Sequence, residues 1–208
     1  MFDAFKRKQQ AREKGHRLRE ALRECEADCN TALCYRLIED DTDLNVRDKS
    51  GRTALMIAAG FGHTDIAHAL VKAGAKINTQ DKSSQTALIY AIINGNTDIL
   101  HTLIAANADV NKKNTRHQTT LMAAALVLRA DIAHVLIDKG AEINAKDKDG
   151  KTALIYATDH YIANSAHTLV TETARVLIEA GADTGAKNRW GETPQDLGSV
   201  DIQDSPRL

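Results

Sequence analysis

A period of 33 residues runs through most of this chain. The stretch "DKSGRTALMIAAGFGHTDIAHALVKAGAKINTQ" at 48–80 aligns without a gap on 81–113 and on 114–146, and leucine keeps its place in every copy. Each copy holds two short apolar runs with helical spacing. Because a pair of such short helices cannot bury its apolar faces alone, neighbouring copies must stack. The period therefore predicts a solenoid of helix pairs.

The period also predicts the domain organisation. We expect a basic N-terminal helical extension at 1–14 and an N-terminal capping repeat at 15–47. Three regular repeats follow at 48–80, 81–113 and 114–146. A repeat with an insertion spans 147–187, and a partial C-terminal cap with a tail spans 188–208. The insertion has eight residues within 159–172, enough for one extra turn on each helix. Since a terminal unit needs a polar outer face, charged residues there are expected to face solvent. They are Arg17, Arg19, Glu20, Arg23 and Glu24.

Local residue types predict where the helices begin and end. A threonine precedes each first helix, where its hydroxyl can cap an unpaired amide: Thr53, Thr86, Thr119 and Thr152. Residues that tolerate a left-handed backbone follow each second helix: Asp41, Gly74, Asn107, Gly140 and Gly181. Side chains that close turns on their own backbone recur in the links between units: Asp48, Asp81, Asn114, Asp147 and Asn188.

The unit "GRTALMIAAGFGHTDIAHALVKAGAKIN" resembles the ankyrin repeat family and its G-x-T-P-L-H-x-A-A…G-H…G-A-D-V-N signature. Alanine or threonine takes the proline place, and methionine or isoleucine takes the histidine place. The resemblance covers 15–197 and implies an all-α ankyrin-repeat solenoid, whose helix pairs are joined by β-hairpin-like loops. It also implies a concave face that binds other proteins.

Composition and motifs narrow the class of protein. The 208 residues are 43% hydrophobic with a net charge of -1, as in soluble folded proteins. No apolar run is long enough for a membrane span or a secretory signal, so we expect a cytoplasmic protein. The alanine-containing "TAL" units suit a bacterial ankyrin protein, which as an effector would be delivered into a host cell. No catalytic motif is present, so neither an enzyme nor a cofactor is predicted.

Histidines and cysteines offer two candidate metal sites, and the repeat structure accounts for both. His68, His101 and His134 are 33 residues apart, so they lie on successive second helices about 8–10 Å apart, too far for one zinc ion. We expect them on the outer, solvent-facing helix surface. Cys25 and Cys29 could bind zinc together with His16, but Cys25 and Cys34 fall at small buried positions of the repeat. Structural packing is therefore the prediction.

The hairpin tips and first helices are the predicted partner-binding surface. Cations recur at the tips: Arg47, Lys49, Arg52, Lys82, Lys112, Lys113, Arg116, Lys146, Lys148, Lys151, Lys187 and Arg189. Apolar side chains are expected on the groove side of the first helices: Phe61, Tyr90, Ile93, Val127 and Tyr156. Ile57 and Leu126 either join them or seal adjacent repeats, and Trp190 either binds the partner or covers the C-terminal cap. The predicted site consists of these five apolar residues, Trp190 and eight of the tip cations. The eight cations are Arg47, Lys49, Lys82, Lys112, Lys113, Arg116, Lys148 and Arg189.

This surface predicts a partner protein with apolar anchors and acidic flanks, bound by a monomeric scaffold, inhibitor or effector. No nucleic-acid partner is expected. An alternative is a peripheral membrane adaptor attached through residues 1–24, since eight Lys or Arg and two acids lie between Lys6 and Arg23, preceded by Phe2 and Phe5. The same segment equally suits a solvated helix that continues into the N-terminal cap.

Overall fold

Every regular element in the described part of the chain is an α-helix, which confirms the all-α prediction. The computed structural model describes residues 2–23, 31–40, 42–159 and 171–197. The chain forms two compact units, Met1–Asp109 and Val110–Leu208, called here the N-terminal unit and the C-terminal unit. Cys25, Cys29 and most of the insertion lie outside the described residues, as do the extra helical turns predicted there.

The described residues of the N-terminal unit form three helix pairs arranged in two layers. Its helices are α1 (Phe2–Arg23), α2 (Thr31–Glu39), α3 (Ala54–Phe61), α4 (Thr64–Lys72), α5 (Ala87–Ile93) and α6 (Thr97–Ala105). Within each pair, the first helix packs against the second. In addition, α3 packs against both α1 and α5, while α4 packs against both α2 and α6. First helices therefore form one layer and second helices the other.

The C-terminal unit repeats this arrangement. Its helices are α7 (Thr120–Leu126), α8 (Ala130–Asp138), α9 (Ala153–Thr158), α10 (Glu172–Glu179) and α11 (Pro194–Leu197). The first helix α9 packs against α7 and α11, and the second helices α8 and α10 pack against each other. The pairs α7–α8 and α9–α10 are also in contact.

The predicted helix ends are confirmed. The hydroxyl of Thr53 accepts a hydrogen bond from the amide of Met56, and the three equivalent threonines do the same. Such a cap contributes about 1 kcal/mol because it pairs an amide that the first helical turn leaves free. After the second helices, the described residues of the predicted left-handed set have φ between 58° and 91°: Gly74, Asn107, Gly140 and Gly181.

A recurring leucine on the second helices lies at the centre of the core. Leu70 and Leu103 in the N-terminal unit, and Leu136 and Leu177 in the C-terminal unit, are fully buried. Small residues lie beside them, and Ala67 and Ala133 are likewise fully buried. Each buried leucine contributes about 1.5–3 kcal/mol through removal of apolar surface from water. The period therefore reflects a continuous apolar interior within each unit.

Within each compact unit, asparagines at the same place in the repeat bond to a loop one repeat further along the chain. The side-chain oxygen of Asn45 accepts from the amide of Lys76 at 2.8 Å, and that of Asn78 accepts from Asp109 at 2.8 Å. In the C-terminal unit, Asn111 accepts from Glu142 at 2.9 Å, and Asn144 from Asp183 at 2.8 Å. The last bond spans eight more residues than the others, so the insertion leaves this register intact.

The hairpin tips are closed as predicted and are bonded to one another. Oδ1 of Asp48 accepts from the amides of Ser50 and Arg52 at 2.9 and 2.8 Å. Asp81, Asn114, Asp147 and Asn188 make the same pair of bonds. Backbone bonds join neighbouring tips within each unit. They are Lys82 N to Ser50 O, Lys148 N to Arg116 O, and Arg189 N to Asp149 O.

One prediction about the N-terminal cap is wrong. Arg19 was expected on the polar outer face, but its side chain is only 6% exposed. It follows Leu18 on α1, and both lie on the buried side of this helix. Because α1 packs against both α2 and α3, the buried part of its circumference is wider than the repeat pattern suggests.

Candidate partner-binding surface

In the N-terminal unit, large apolar side chains are exposed where the first helices end. Phe61 and Ile93 are the last residues of α3 and α5, and they are 54% and 46% exposed. The ring of Phe61 stacks on that of His63, with 6.1 Å between centroids. Ile57, one turn before Phe61, is buried. Since α3 packs against α5, the two exposed residues lie at the same end of neighbouring helices.

Tyr90 is a half-buried residue of α5 whose hydroxyl is held in place. It donates a hydrogen bond to Oδ2 of Asp81 at 2.8 Å, while Oδ1 of the same carboxylate closes the hairpin tip. Burial, together with the hydrogen bond and the charge of Asp81, raises the pKa of Tyr90 to about 12. The tyrosine therefore presents a fixed ring instead of a free apolar side chain.

In the C-terminal unit, Trp190 lies at a hairpin tip among cations. Its side chain is 55% exposed, and the guanidinium of Arg189 lies 4.3 Å from the ring centroid. The Lys151 ammonium lies 5.8 Å from the Trp190 ring and 5.6 Å from the Tyr156 ring. Each cation–π contact contributes about 0.5–1 kcal/mol at an exposed site. The arrangement orders the tryptophan while its apolar surface remains accessible.

Tyr156 repeats the arrangement of Tyr90. Its hydroxyl donates to Oδ2 of Asp147 at 2.7 Å and accepts from Nε2 of Gln118 at 2.6 Å. Burial and the Asp147 hydrogen bond raise the pKa of Tyr156 to about 12, and the Gln118 bond opposes them. At the end of α7, Leu126 is 45% exposed and Val127 is partly exposed.

The cations of the predicted site differ in how strongly they are engaged. In the N-terminal unit, Arg47, Lys49 and Lys82 are exposed. In the C-terminal unit, Lys113 pairs with Glu142 at 3.2 Å and Arg189 with Asp149 at 2.7 Å. Arg116 and Lys148 are exposed, and Lys112 is partly buried. Exposed ion pairs contribute about 0–1 kcal/mol, so a partner can displace them at small cost.

These helix pairs match a model described as ankyrin repeats (3 copies), over residues 21–114 and 107–188. The chain belongs to the ankyrin repeat family. The predicted resemblance is thereby confirmed, and so is the predicted ankyrin-repeat fold. Ankyrin repeats are generally protein–protein interaction modules and are typically not enzymes. A search of curated proteins gives no match.

The outer helix face of this ankyrin-repeat chain carries the recurring histidines. His68, His101 and His134 are all exposed, as predicted. Nε2 of His68 forms a hydrogen bond with the hydroxyl of Thr102 on the next second helix. The described residues contain no group of three or more metal-binding side chains, and none of their helices is long and apolar enough to cross a membrane. Cys34 is fully buried, as predicted.

Lys151 belongs to this surface, although the site predicted from the sequence does not include it. It pairs with Asp159 as well as lying over two aromatic rings, and its side chain is only 19% exposed. The sequence partly indicates the role of Lys151, because long polar residues occupy the same position in other repeats. These include Arg52, which pairs with Asp48, and Gln118, which bonds to Tyr156. The partner of such a flexible side chain depends on its neighbours in space.

The Tyr156 phenol should resist ionisation in the folded chain. Because its folded pKa of about 12 lies above the ordinary value of 10.0, the protonated phenol stabilises the fold. This contribution is fully present below pH 10 and is lost as the pH rises through about 12. The titration is measured as ultraviolet phenolate absorbance against pH. The difference between wild type and Tyr156→Phe isolates the contribution of Tyr156.

Asp147→Asn supplies the control for this titration. Asparagine closes the same turn naturally at Asn114, so the substitution keeps the tip but removes the negative charge. It should lower the pKa of Tyr156 and leave that of Tyr90 unchanged. A wild-type Tyr156 that ionises at its ordinary pKa, or one that is insensitive to Asp147→Asn, would contradict the interpretation.

Proposed function

We propose that the chain is a non-catalytic module that binds a partner protein through its exposed first-helix ends and basic hairpin tips. Depending on the partner, it acts as a scaffold, inhibitor or effector. Membership of the ankyrin repeat family supports binding of a protein. The chemistry of the surface supports a partner with apolar anchors and acidic flanks. Apolar anchors on the partner would contact the exposed hydrophobic residues. Acidic flanks would contact the tip cations and govern encounter rate and selectivity.

The observation that carries the proposal is where the large exposed hydrophobic residues occur. In the described part of the chain they are Phe5, Phe61, Ile93, Leu126 and Trp190. Three of the five are the last residue of a first helix, and Trp190 lies at a tip. Scattered exposed apolar residues need no explanation, whereas recurrence at one structural position is typical of an interaction surface. Trp190 has the features of a binding hot spot, since it is large, ordered and flanked by cations.

Substitutions in the C-terminal unit test the proposal. Proteins captured by the wild-type chain are identified by mass spectrometry, and their affinities are then measured with purified variants. Trp190→Ala should weaken binding of the true partner by about 2 kcal/mol, as expected for a hot spot. Arg116→Glu should weaken binding and also flatten its dependence on salt, because long-range charge attraction is lost.

Arg175→Glu is the matched control for the charge change. Arg175 is an exposed residue of the second helix α10, where it pairs with Glu172. The charge change equals that of Arg116→Glu, but the residue is not on a tip or a first helix. If Arg116→Glu and Arg175→Glu weakened binding equally, or if neither Trp190→Ala nor Arg116→Glu had an effect, this surface would be the wrong one.

A peripheral membrane adaptor is the second candidate, and one observation favours it. Phe5 is 67% exposed on α1 beside the exposed cations Lys6, Arg7 and Lys8. However, α1 also packs against α2 and α3, and Lys14 pairs with Asp40 at 2.7 Å. Sedimentation of the full chain with phosphatidylserine vesicles distinguishes the two candidates. A protein-binding module stays in the supernatant. A membrane adaptor sediments with the vesicles, and Phe5→Ser prevents this sedimentation.

A further inference from the structure

The N-terminal unit contains a cavity between α1 and its first hairpin tip. Its volume is about 680 Å³, which lies within the range of small-molecule sites. Five of the nine described residues that line it are cations: Arg19 and Arg23 from α1, and Arg47, Lys49 and Arg52 from the tip. The acids among these described lining residues are Asp48 and Glu20, so positive charge is in excess among them.

The carboxylate of Asp48 is already engaged by the tip. Its Oδ1 accepts from two backbone amides, and its Oδ2 accepts from Nε and Nη2 of Arg52 at 3.0 and 2.9 Å. These bonds hold the pKa of Asp48 below its ordinary value despite its burial. Asp48 therefore neutralises Arg52 directly and supplies only a longer-range charge to Arg19.

Arg19 is the buried cation of this cavity, and its donors are incompletely satisfied. The side chain is 6% exposed, and one Nη2 contact is made with Nδ1 of His16. Among the described residues, its buried Nε has no hydrogen-bond partner. Burial lowers the pKa of the guanidinium. Because Arg19 lines the cavity, its guanidinium can donate a charge-assisted hydrogen bond to an anion that enters.

We propose that this cavity binds a multiply charged phosphate compound, with Arg19 at its buried side and Arg23, Arg47 and Lys49 around its exposed side. Guanidinium groups match the geometry of phosphate oxygens with paired N–H donors. The net positive charge favours a ligand that carries several negative charges, and the volume exceeds the space that one phosphate group needs. The proposal does not depend on the partner protein. The phosphate groups can belong to a soluble compound or to a lipid headgroup.

Calorimetric titration of the full chain with pyrophosphate tests the site in the absence of any protein partner. Saturable binding is expected, and Arg19→Gln and Arg47→Gln should each weaken it at least about tenfold. Arg17→Gln is the matched control, because Arg17 is exposed on the same helix and does not line the cavity. If Arg19→Gln prevents folding, Arg47→Gln and Arg23→Gln carry the test.

Three further results decide the outcome. The proposal is overturned if neither pyrophosphate nor the vesicles bind saturably. It is also overturned if Arg17→Gln and Arg47→Gln weaken binding equally, since only general charge attraction would remain. Binding to phosphatidylinositol bisphosphate vesicles that pyrophosphate displaces identifies a lipid headgroup as the source. Pyrophosphate binding without vesicle binding identifies a soluble compound. Capture of a protein partner is measured separately, so failure of either proposal leaves the other testable.

Discussion

Replacing Gly15 with alanine is expected to lower the free energy of unfolding by about 3 kcal/mol, at the upper end of the usual cost of overpacking. Gly15 is a buried residue of α1, and a Cβ there would overlap the carbonyl oxygen of Asp43 and lie 2.8 Å from Cγ2 of Val46. The nearby backbone is fixed, because the amide of Asp43 donates to the carbonyl of Ala11 at 3.0 Å. The helix must therefore move away from the segment that it contacts. Urea denaturation followed by circular dichroism measures the loss.

Gly60→Ala is the control, and it should have the opposite sign. Gly60 is also a helical glycine, but a Cβ there would lie 3.6 Å from Cδ1 of Tyr90, an ordinary contact. Alanine in a helix is favoured over glycine by about 0.5–1 kcal/mol, because glycine loses more backbone freedom on folding. Gly60→Ala should therefore raise the denaturation midpoint. Stabilisation by Gly15→Ala as well would show that α1 is not held against 43–46.

Gly51→Ala is expected to cost about 3 kcal/mol for a different reason. Gly51 has φ 84° at the first hairpin tip, where an L side chain costs about 1–2 kcal/mol. The added Cβ would also lie 2.9 Å from the amide nitrogen of Lys82, the group that bonds to Ser50 of the first tip. Both effects destabilise the contact between the two tips. Thermal unfolding of purified variants supplies the measurement.

Gly74→Ala separates the two effects. Gly74 also has φ 84°, but nothing lies within 4 Å of a Cβ placed there. Only the backbone strain remains, so the cost should be about 1–2 kcal/mol. A positive φ alone does not demand glycine at the tips, since Ser84 and His117 adopt φ 57° and 61° at the position equivalent to Gly51. Equal losses for Gly51→Ala and Gly74→Ala would show that tip spacing is unimportant.

Features that depend on the local sequence could be predicted. Thr53 caps a helix because its hydroxyl reaches an amide three residues away, and Asp48 closes a turn on its own backbone. Both depend on residues within a few positions of each other. The period then indicated which apolar positions are buried, including Leu70 and Cys34.

Features that depend on distant neighbours were missed. The charge of Arg19 predicts exposure to solvent, yet the residue is buried because α1 contacts two other helices. The phenol of Tyr90 reaches Asp81 only because the tip returns over the first helix that follows it. The identity of such contacts is set by the folded backbone, and residue type alone leaves several partners available for each long side chain.

The connecting asparagines can form their bonds only after the following repeat has been synthesised. Asn45 and Asn78 each bond to a loop about thirty residues further along the chain, and Asn144 bonds to one 39 residues away. A helix pair therefore leaves the ribosome before its asparagine has an amide to accept from. For Asn144 this separation along the chain is eight residues longer than for the other three, because of the insertion. The bond that joins the loop after α8 to the loop after α10 can therefore form only once residue 183 has been synthesised.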